Sequence, residues 1–364
     1  MADQISFARG APSIDIVAVD DLKAAAQRAF ENDPAGTCAY GTAIGYPPLR
    51  EWIAGTHDLP PEQVVVTNGS MQADAFLFEL LVEPGDLVVV EAPTYDRTLL
   101  SLRKRGAEIL AIPLEEDGID VSALASALEA GARPRLAHVI PTFQNPAGYT
   151  LSLEKRQRLI ELAEQYDFVI FEDDPYVKLR FEGEQLPTML SMDSSGHVVY
   201  ASSFSKTVCP GIRVGYLAGP AETIAAIVKL GTETYISPSM VSESIVNEFC
   251  RSGAIEQSIE TVKNALRERV ERLSAALESK LPDARFTAPS GGYFLWVDFP
   301  DGVDVDALFT AAGERGVVFV KGSDFLLEGG QSSLRLAYSG VTPDEINEGV
   351  GRLAGAYDSL RATA

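Results

Sequence analysis

The sequence is poor in cysteine, histidine and tryptophan, with three, three and two in 364 residues. Cys38, Cys209 and Cys250 are odd in number and widely spaced. Such usage excludes a disulfide scaffold and a cysteine–histidine zinc site, and it fits free thiols in a reducing compartment such as the cytoplasm. No metal is expected. Long apolar runs are missing too: none could span a bilayer, and Met1 to Arg9, with Asp3, lacks the apolar stretch of a signal peptide. Positive charge is also scarce. Lys and Arg total 30 against 52 Asp and Glu, and the formal net charge of −22 repels nucleic acid and anionic membrane. A small anionic ligand therefore needs a local basic pocket.

What is present is ordinary in bulk. Hydrophobic residues make up 46% and charged residues 23%, and the length suits roughly two domains with full-sized cores. No repeat, low-complexity segment or clean linker interrupts the chain. After a short apolar piece, Ile5 to Ala8, a helix is predicted over Val19 to Glu31 and another over Leu49 to Ala54. From Gln63 to Gly219 short apolar strands alternate with amphipathic helices. Strands are predicted at Val64–Thr67, Leu87–Glu91, Glu108–Ile112, Ala137–Ile140, Phe168–Glu172, Val198–Ala201 and Val214–Ala218. Helices are predicted at Ser70–Val82, Tyr95–Arg105, Val121–Glu129 and Leu153–Gln165. That alternation implies an α/β fold, with a mainly parallel seven-stranded sheet covered on both faces and ligands at the carboxyl ends of its strands. Val214–Ala218 is the exception: the turn before it is too short for a crossover helix, so it is expected to run antiparallel.

Ile255, Ile259, Val262, Leu266, Val270, Leu273 and Leu277 recur at three and four, the face of one long helix. Beyond Pro282 the pattern becomes strand (Tyr293–Phe299), helix (Val305–Arg315), two strands (Val317–Lys321 and Ser333–Tyr338) and helix (Pro343–Tyr357). The expected organisation is an arm and part of a small domain in 1–38, a large domain in 39–252, and the long helix with a smaller α+β domain in 253–364.

Chemistry concentrates at the predicted strand ends. Lys206, in Ser202-Ser203-Phe204-Ser205-Lys206, follows a strand, and Arg213 stands seven residues on. A lysine buried beside a cation loses its proton more readily and can condense with an aldehyde, while Arg213, Ser203 and Ser205 suit an anion nearby. The same lysine could instead be a surface residue of a polar loop. Gly69-Ser70-Met71 opens a helix after a strand, either as an anion cradle of free amides or as a plain helix start capped by Ser70. Tyr95 likewise begins a helix, where its ring could cover a flat ligand or simply fill the core. Asn145, in a Gln-Asn-Pro-Ala-Gly turn, ends the next strand. Asp173 and Tyr176, in Glu-Asp-Asp-Pro-Tyr, form either a solvated acidic turn or a carboxylate and phenol spaced to hold a ring nitrogen and a ring oxygen. Taken together the set matches pyridoxal 5′-phosphate, which needs a lysine, a phosphate cradle, a stacked aromatic, an acid on its pyridine nitrogen and donors on its phenolic oxygen.

With these residues in hand, the chain resembles a class I and II aminotransferase of the fold-type I pyridoxal-phosphate family. It is most similar to the subgroup of 2-aminoadipate, kynurenine and broad-specificity aminotransferases and the effector domains of regulators built on them. The likeness runs from Phe7-Ala8-Arg9-Gly10 to Leu334-Arg335-Leu336-Ala337-Tyr338. It implies that Lys206 is the Schiff-base lysine and general base, that Asp173 pairs the pyridine nitrogen, and that Tyr95 stacks on the ring; these three are the expected catalytic residues. It further implies that Asn145 and Tyr176 bind the phenolic oxygen. The phosphate falls to Gly69, Ser70, the Met71 amide, Ser203, Ser205 and Arg213, with Tyr40 reaching it from a neighbouring subunit of a homodimer. Arg335, aided by Asn145 and the Gly10 backbone, matches the residue that forks a substrate α-carboxylate. Two departures stand out: Met71 replaces a usual glutamine, and the segment Ala54 to Pro61 is short. No DNA-binding domain is expected.

The implied activity is ping-pong transfer of an amino group from an L-amino acid to a 2-oxo acid such as 2-oxoglutarate. A lyase, cyclase or oxidase acting at the α- or β-carbon would use the same apparatus, and a ligand-sensing module without turnover is a further alternative. For substrate choice, Arg9, Arg97 and Lys321 are candidate partners of a distal carboxylate, and Tyr235, Ile236 and Phe325 candidate walls of an apolar pocket.

Overall fold

The computed structural model describes residues 4–300 and 302–361. Its centre is a mixed sheet of eight strands. Their order is Val64–Thr67, Gly215–Ala218, Val198–Ser203, Val169–Asp173, Leu136–Val139, Leu87–Ala92, Glu108–Glu115 and Gly118–Ile119. Gly215–Ala218 runs antiparallel to both its neighbours, as its short connection requires. The eighth strand was not expected. Gly118–Ile119 is two residues of a hairpin folded back on Glu108–Glu115, too short to leave an alternating pattern.

Both faces of the sheet are buried, which is why its strands read as near-continuous Val, Ile and Ala. Along Leu87–Ala92, for example, Val88 and Val90 pack with Leu77, Leu102 and Ile224 on one side, while Val89 packs with Leu124 and Leu162 on the other. Strand ends shift by one or two residues from the predicted bounds. The shifts matter at two places: Asp173 becomes the last residue of its strand, and Ser202 and Ser203 are strand rather than turn. Helices at Pro34–Cys38, Met189–Met192, Ala221–Tyr235 and Met240–Arg251 went unpredicted. The long helix is Ala254–Lys280, separated from Met240–Arg251 by a left-handed Gly253.

Around that helix lies a second core. It holds the antiparallel strands Phe294–Asp298, Ser333–Ala337 and Val320–Lys321 and the helices Val305–Glu314 and Pro343–Arg361. The single predicted strand Val317–Lys321 is in fact two. Val317–Val318 pairs in parallel with Ile5–Ser6, Val320–Lys321 pairs with Ser333–Ala337, and the buried Phe319 side chain sits between the two pairings. Phe7 receives a backbone hydrogen bond from Ala337 and donates one to Val318, so the first residues are stitched to the last. No helix among the described residues is long and apolar enough to cross a membrane.

A buried polar knot fixes the strand ends that matter. The Arg156 guanidinium, 1% exposed, donates to the carbonyls of Leu151, Pro187 and Pro141 and to Thr142 Oγ1, and lies 3.7 Å from Glu172. Glu172 accepts the amides of Met189 and Leu190 at 2.8 Å, and Thr142 donates to Asp174. Removing one partner of such a buried pair strands the other charge, so Arg156→Met should cost ~3–5 kcal/mol of stability, measured by denaturant unfolding.

Candidate active site

The lysine loop is closed by register. Ser203 pairs with Gly215, so residues 204–214 form a loop hung from the carboxyl end of one strand. Lys206 Nζ donates to the Gly10 carbonyl at 2.7 Å and lies over the rings of Tyr176 and Tyr293 at 5.6 and 5.3 Å. The Tyr293 hydroxyl donates back to the Lys206 carbonyl and pins the backbone. Withdrawal from water, then the positive charge of Arg335, lowers its pKa to about 8, although Asp173 pulls the other way. The surface-lysine alternative is thereby set aside.

Beside it an anion cradle is assembled from three segments. The helix Ser70–Leu81 begins at Gly69 with no side-chain cap, so its first amides stay free, and the Ser70-cap alternative fails. Two glycines bring the segments together. Gly69 has φ +82° and a side chain there would meet Arg213 at 2.2 Å, whereas one at Gly215 would meet the Ser70 nitrogen at 2.5 Å. Arg213 is itself left-handed, and it donates to Ser205 Oγ and to the carbonyls of Pro210 and Asn68. Ser203 Oγ in turn donates to Ser205 Oγ at 2.9 Å.

The cavity floor is acidic and buried. Asp173, 5% exposed, leaves Oδ1 with no partner, and its Oδ2 lies 3.6 Å from His138 Nε2. The Glu-Asp-Asp turn is therefore buried, not solvated. Tyr176 is buried nearby, its phenol held above its usual pKa by burial and by Tyr95. Tyr95 precedes the helix Asp96–Arg105 and lines the cavity, with burial raising its pKa to about 12. Asn145 is positioned from behind. Gln144 donates to Glu91 and to the Pro93 carbonyl and accepts the Ala147 amide, tying this loop to the neighbouring strand.

Opposite the lysine sits Arg335, 6% exposed. Its Nη1 donates to Asn145 Oδ1 at 2.8 Å and its Nη2 to the Ala8 carbonyl at 2.6 Å, while Nε finds no partner. Phe294 and Phe325 flank the guanidinium at 4.3 and 4.8 Å. No carboxylate pairs with it among the described residues. Burial lowers its pKa to about 10, still a cation at neutral pH.

These groups line one cavity of about 640 Å³. Gly10, Ser70, Met71, Tyr95, Asn145, Asp173, Tyr176, Ser203, Ser205, Lys206, Arg213 and Arg335 all face it, with Gly69 directly behind Arg213. Tyr40 is 89% exposed and outside it. Arg9, Arg97 and Phe325 are in the wall; Lys321 instead pairs with Asp306, and Tyr235 and Ile236 lie elsewhere. Sequence reasoning missed Asp74, Asp96, Asp324 and Phe294, also in the wall, and His138 beneath it. For Asp74 a signal existed: with Glu79 it is one of two charges in a mainly apolar helix.

The donor set fits a phosphorylated pyridine aldehyde: an uncapped helix start and Arg213 for the phosphate, an orphaned carboxylate oxygen for a ring N–H, and a lowered-pKa amine. The whole-chain comparisons agree. Residues 2–353 match the model of the family aminotransferase class I and II. An aromatic-amino-acid aminotransferase of Thermococcus litoralis is 33% identical, covering 97% of this chain and 88% of its own. A 2-aminoadipate transaminase of Thermus thermophilus is also 33% identical, covering 98% and 91%. The solved alpha-aminoadipate aminotransferase of Thermus thermophilus, complexed with N-(5'-phosphopyridoxyl)-L-leucine, superposes with a TM-score of 0.95 at 32% identity, over 99% of this chain and 94% of that one. The chain belongs to the class I and II aminotransferases, with the fold-type I architecture. It is a pyridoxal-phosphate-dependent aminotransferase, and the lyase, cyclase and oxidase alternative finds no support among these relatives.

An amine must be unprotonated to capture an aldehyde, and the pKa of Lys206 is lowered in the folded site. The rate at which cofactor-free protein takes up pyridoxal phosphate should therefore rise with pH to a midpoint near 8. In Arg335→Ala that midpoint should move upward, since a neighbouring positive charge is lost; stopped-flow absorbance against pH reads both.

Proposed function

We propose that the chain transfers the amino group of an L-amino acid to a 2-oxo acid, with 2-oxoglutarate as acceptor, in two half-reactions at the one cavity. The observation that carries this reading is the pairing of Lys206 with Arg335: an amine of lowered pKa and an uncompensated buried guanidinium on the same cavity. A buried cation without a counter-ion is costly, and a substrate carboxylate would relieve that cost. Bound pyridoxal phosphate supplies an electron sink for the bonds broken at the α-carbon.

The chain's own residues divide the rest. Arg335 Nη1 and Nη2 face Asn145 and the Ala8 carbonyl, which leaves Nε free for a carboxylate oxygen and fixes the fork's plane. Lys206 Nζ, at its lowered pKa, can take a proton from the α-carbon and return it a few ångströms away. Asp173 Oδ1 accepts the ring N–H, Tyr95 covers the ring, and Asn145 and Tyr176 donate to the phenolic oxygen. Gly69, Ser70, Met71, Ser203, Ser205 and Arg213 take the phosphate; Met71 is 42% exposed and contributes only its amide. The exposure of Tyr40 favours a role in a second subunit's site, hence a homodimer with shared active sites. Three free cysteines suit a cytoplasmic protein.

Adding amino acids one by one should bleach the bound cofactor's long-wavelength absorption, and 2-oxoglutarate should restore it; bleaching without restoration would refute transfer to that acceptor. Lys206→Ala should abolish turnover, and measurable ping-pong kinetics in that variant would count against the base assignment. Arg335→Ala should weaken substrate binding by ~2–5 kcal/mol, seen as a raised KM. Mixing Tyr40→Ala with Lys206→Ala subunits should give more activity than either parent, because one site of the mixed dimer keeps both groups. Activity no greater than the parents' would argue that Tyr40 does not act across a dimer.

A further inference from the structure

The cavity floor holds more acid than the cofactor site requires. Asp74 lies one helical turn beyond Ser70, is 5% exposed, lines the cavity, and leaves Oδ1 without a hydrogen-bond partner. Four residues on, on the same helix face, Phe78 packs edge-on against His138 at 6.1 Å and against Phe171 at 5.8 Å. That face therefore looks onto the strands Leu136–Val139 and Val169–Asp173, whose last residue is Asp173. Asp173 has one unpartnered oxygen, and both ring nitrogens of the fully buried His138 lack hydrogen bonds. Asp74 and Asp173 thus line one cavity with polar atoms unsatisfied, and His138, also unsatisfied, lies against Asp173.

We propose that Asp74 is a second carboxyl serving the nitrogen end of the cofactor site: it is held as a neutral acid whose O–H donates to Asp173, and so orients the carboxylate that accepts the pyridine N–H. The proposal rests on the reading of Asp173 as that acceptor. Asp74 is a positioning residue, since it acts through Asp173. The titratable groups that interact with it are Asp173 and Tyr95, and His138 lies against Asp173. No lysine or arginine pairs with Asp74 among the described residues, so nothing at hand favours Asp74 as an anion. Burial first, and the charge of Asp173 second, hold its carboxyl well above the usual range. Two carboxyls sharing such a site keep one proton between them. A neutral Asp74 also avoids competing with Asp173 for the ring: it offers a donor to the carboxylate and adds no second charge to the floor.

The test compares Asp74→Asn, which keeps a donor but cannot ionise, with Asp74→Leu, which keeps neither. The readouts are the dissociation constant of pyridoxal phosphate, by spectroscopic titration of cofactor-free protein, and that protein's melting temperature. Asp74→Asn should bind within about threefold of wild type, whereas Asp74→Leu should bind about tenfold more weakly, the scale of one hydrogen bond to a charged group. Cofactor-free Asp74→Leu should melt no lower than wild type, because an unsatisfied buried carboxyl has been exchanged for an apolar side chain. Wild-type affinity in Asp74→Leu would overturn the proposal, as would Asp74→Asn binding as weakly as Leu, which would point to charge instead. A fall in melting temperature that parallels the affinity loss in both variants would make Asp74 merely structural. Asp173→Asn tests the underlying reading separately: undiminished cofactor affinity there would overturn the assignment of Asp173 itself, whatever Asp74 does.

Discussion

A buried guanidinium with no carboxylate beside it is the constraint on which the site depends. In a chain of net charge −22, with acids to spare, Arg335 is sandwiched by two phenylalanines and given only neutral oxygens. Its charge reaches Lys206, contributing to the lowered pKa of that amine, and is left unspent for an incoming anion. An acid placed next to Arg335 would cancel both effects. The acids that are buried, such as Glu91, Glu172, Asp173 and Asp174, make no ion pair with Arg335.

Such an arrangement needs groups from distant parts of the sequence held within ångströms, and the sheet supplies the frame. Asn145, Asp173 and the Ser203–Lys206 segment all lie at or just beyond carboxyl ends of neighbouring parallel strands, where side chains leave the layered core and meet solvent. Arg335 and Gly10 come from the other core. They arrive together because Ile5–Ser6 pairs with Val317–Val318 and Phe7 accepts a hydrogen bond from Ala337, two residues beyond Arg335 on the same strand. Behind the strand ends the Arg156 knot ties down Glu172, Thr142 and one oxygen of Asp174, while Asp173 faces the cavity.

Much of this was legible beforehand. The strand and helix alternation, the antiparallel Gly215–Ala218 and the long helix follow from periodicity and connection length. The lysine, the acid and the glycine-led helix start follow from residue type at strand ends. What periodicity missed were elements too short to carry a period, such as Gly118–Ile119, and the splitting of Val317–Lys321, which is decided by two partners in other parts of the chain. Among site residues, Asp74 and His138 were missed for a related reason. Each sits inside an apolar run, and only the packing of the helix Ser70–Leu81 on two strands turns them toward Asp173. Phe294 reads as core and is core, yet one face of its ring also holds Arg335 in place.

The unsatisfied groups explain where the molecule's stability has been given up. Asp74 Oδ1, Asp173 Oδ1, Arg335 Nε and both nitrogens of His138 are buried polar atoms without partners, and each such group costs roughly 1–3 kcal/mol. Arg156, by contrast, is satisfied by five bonds and contacts. The five orphaned atoms sit in or beneath one cavity, and ligands bound there would recover part of that cost. On the reading proposed above, a ring N–H would answer Asp173, a carboxylate would answer Arg335, and an anion would answer the free amides after Gly69. Cofactor and substrate would then stabilise the fold by the same contacts that orient them for reaction, which couples occupancy of the site to the integrity of both cores.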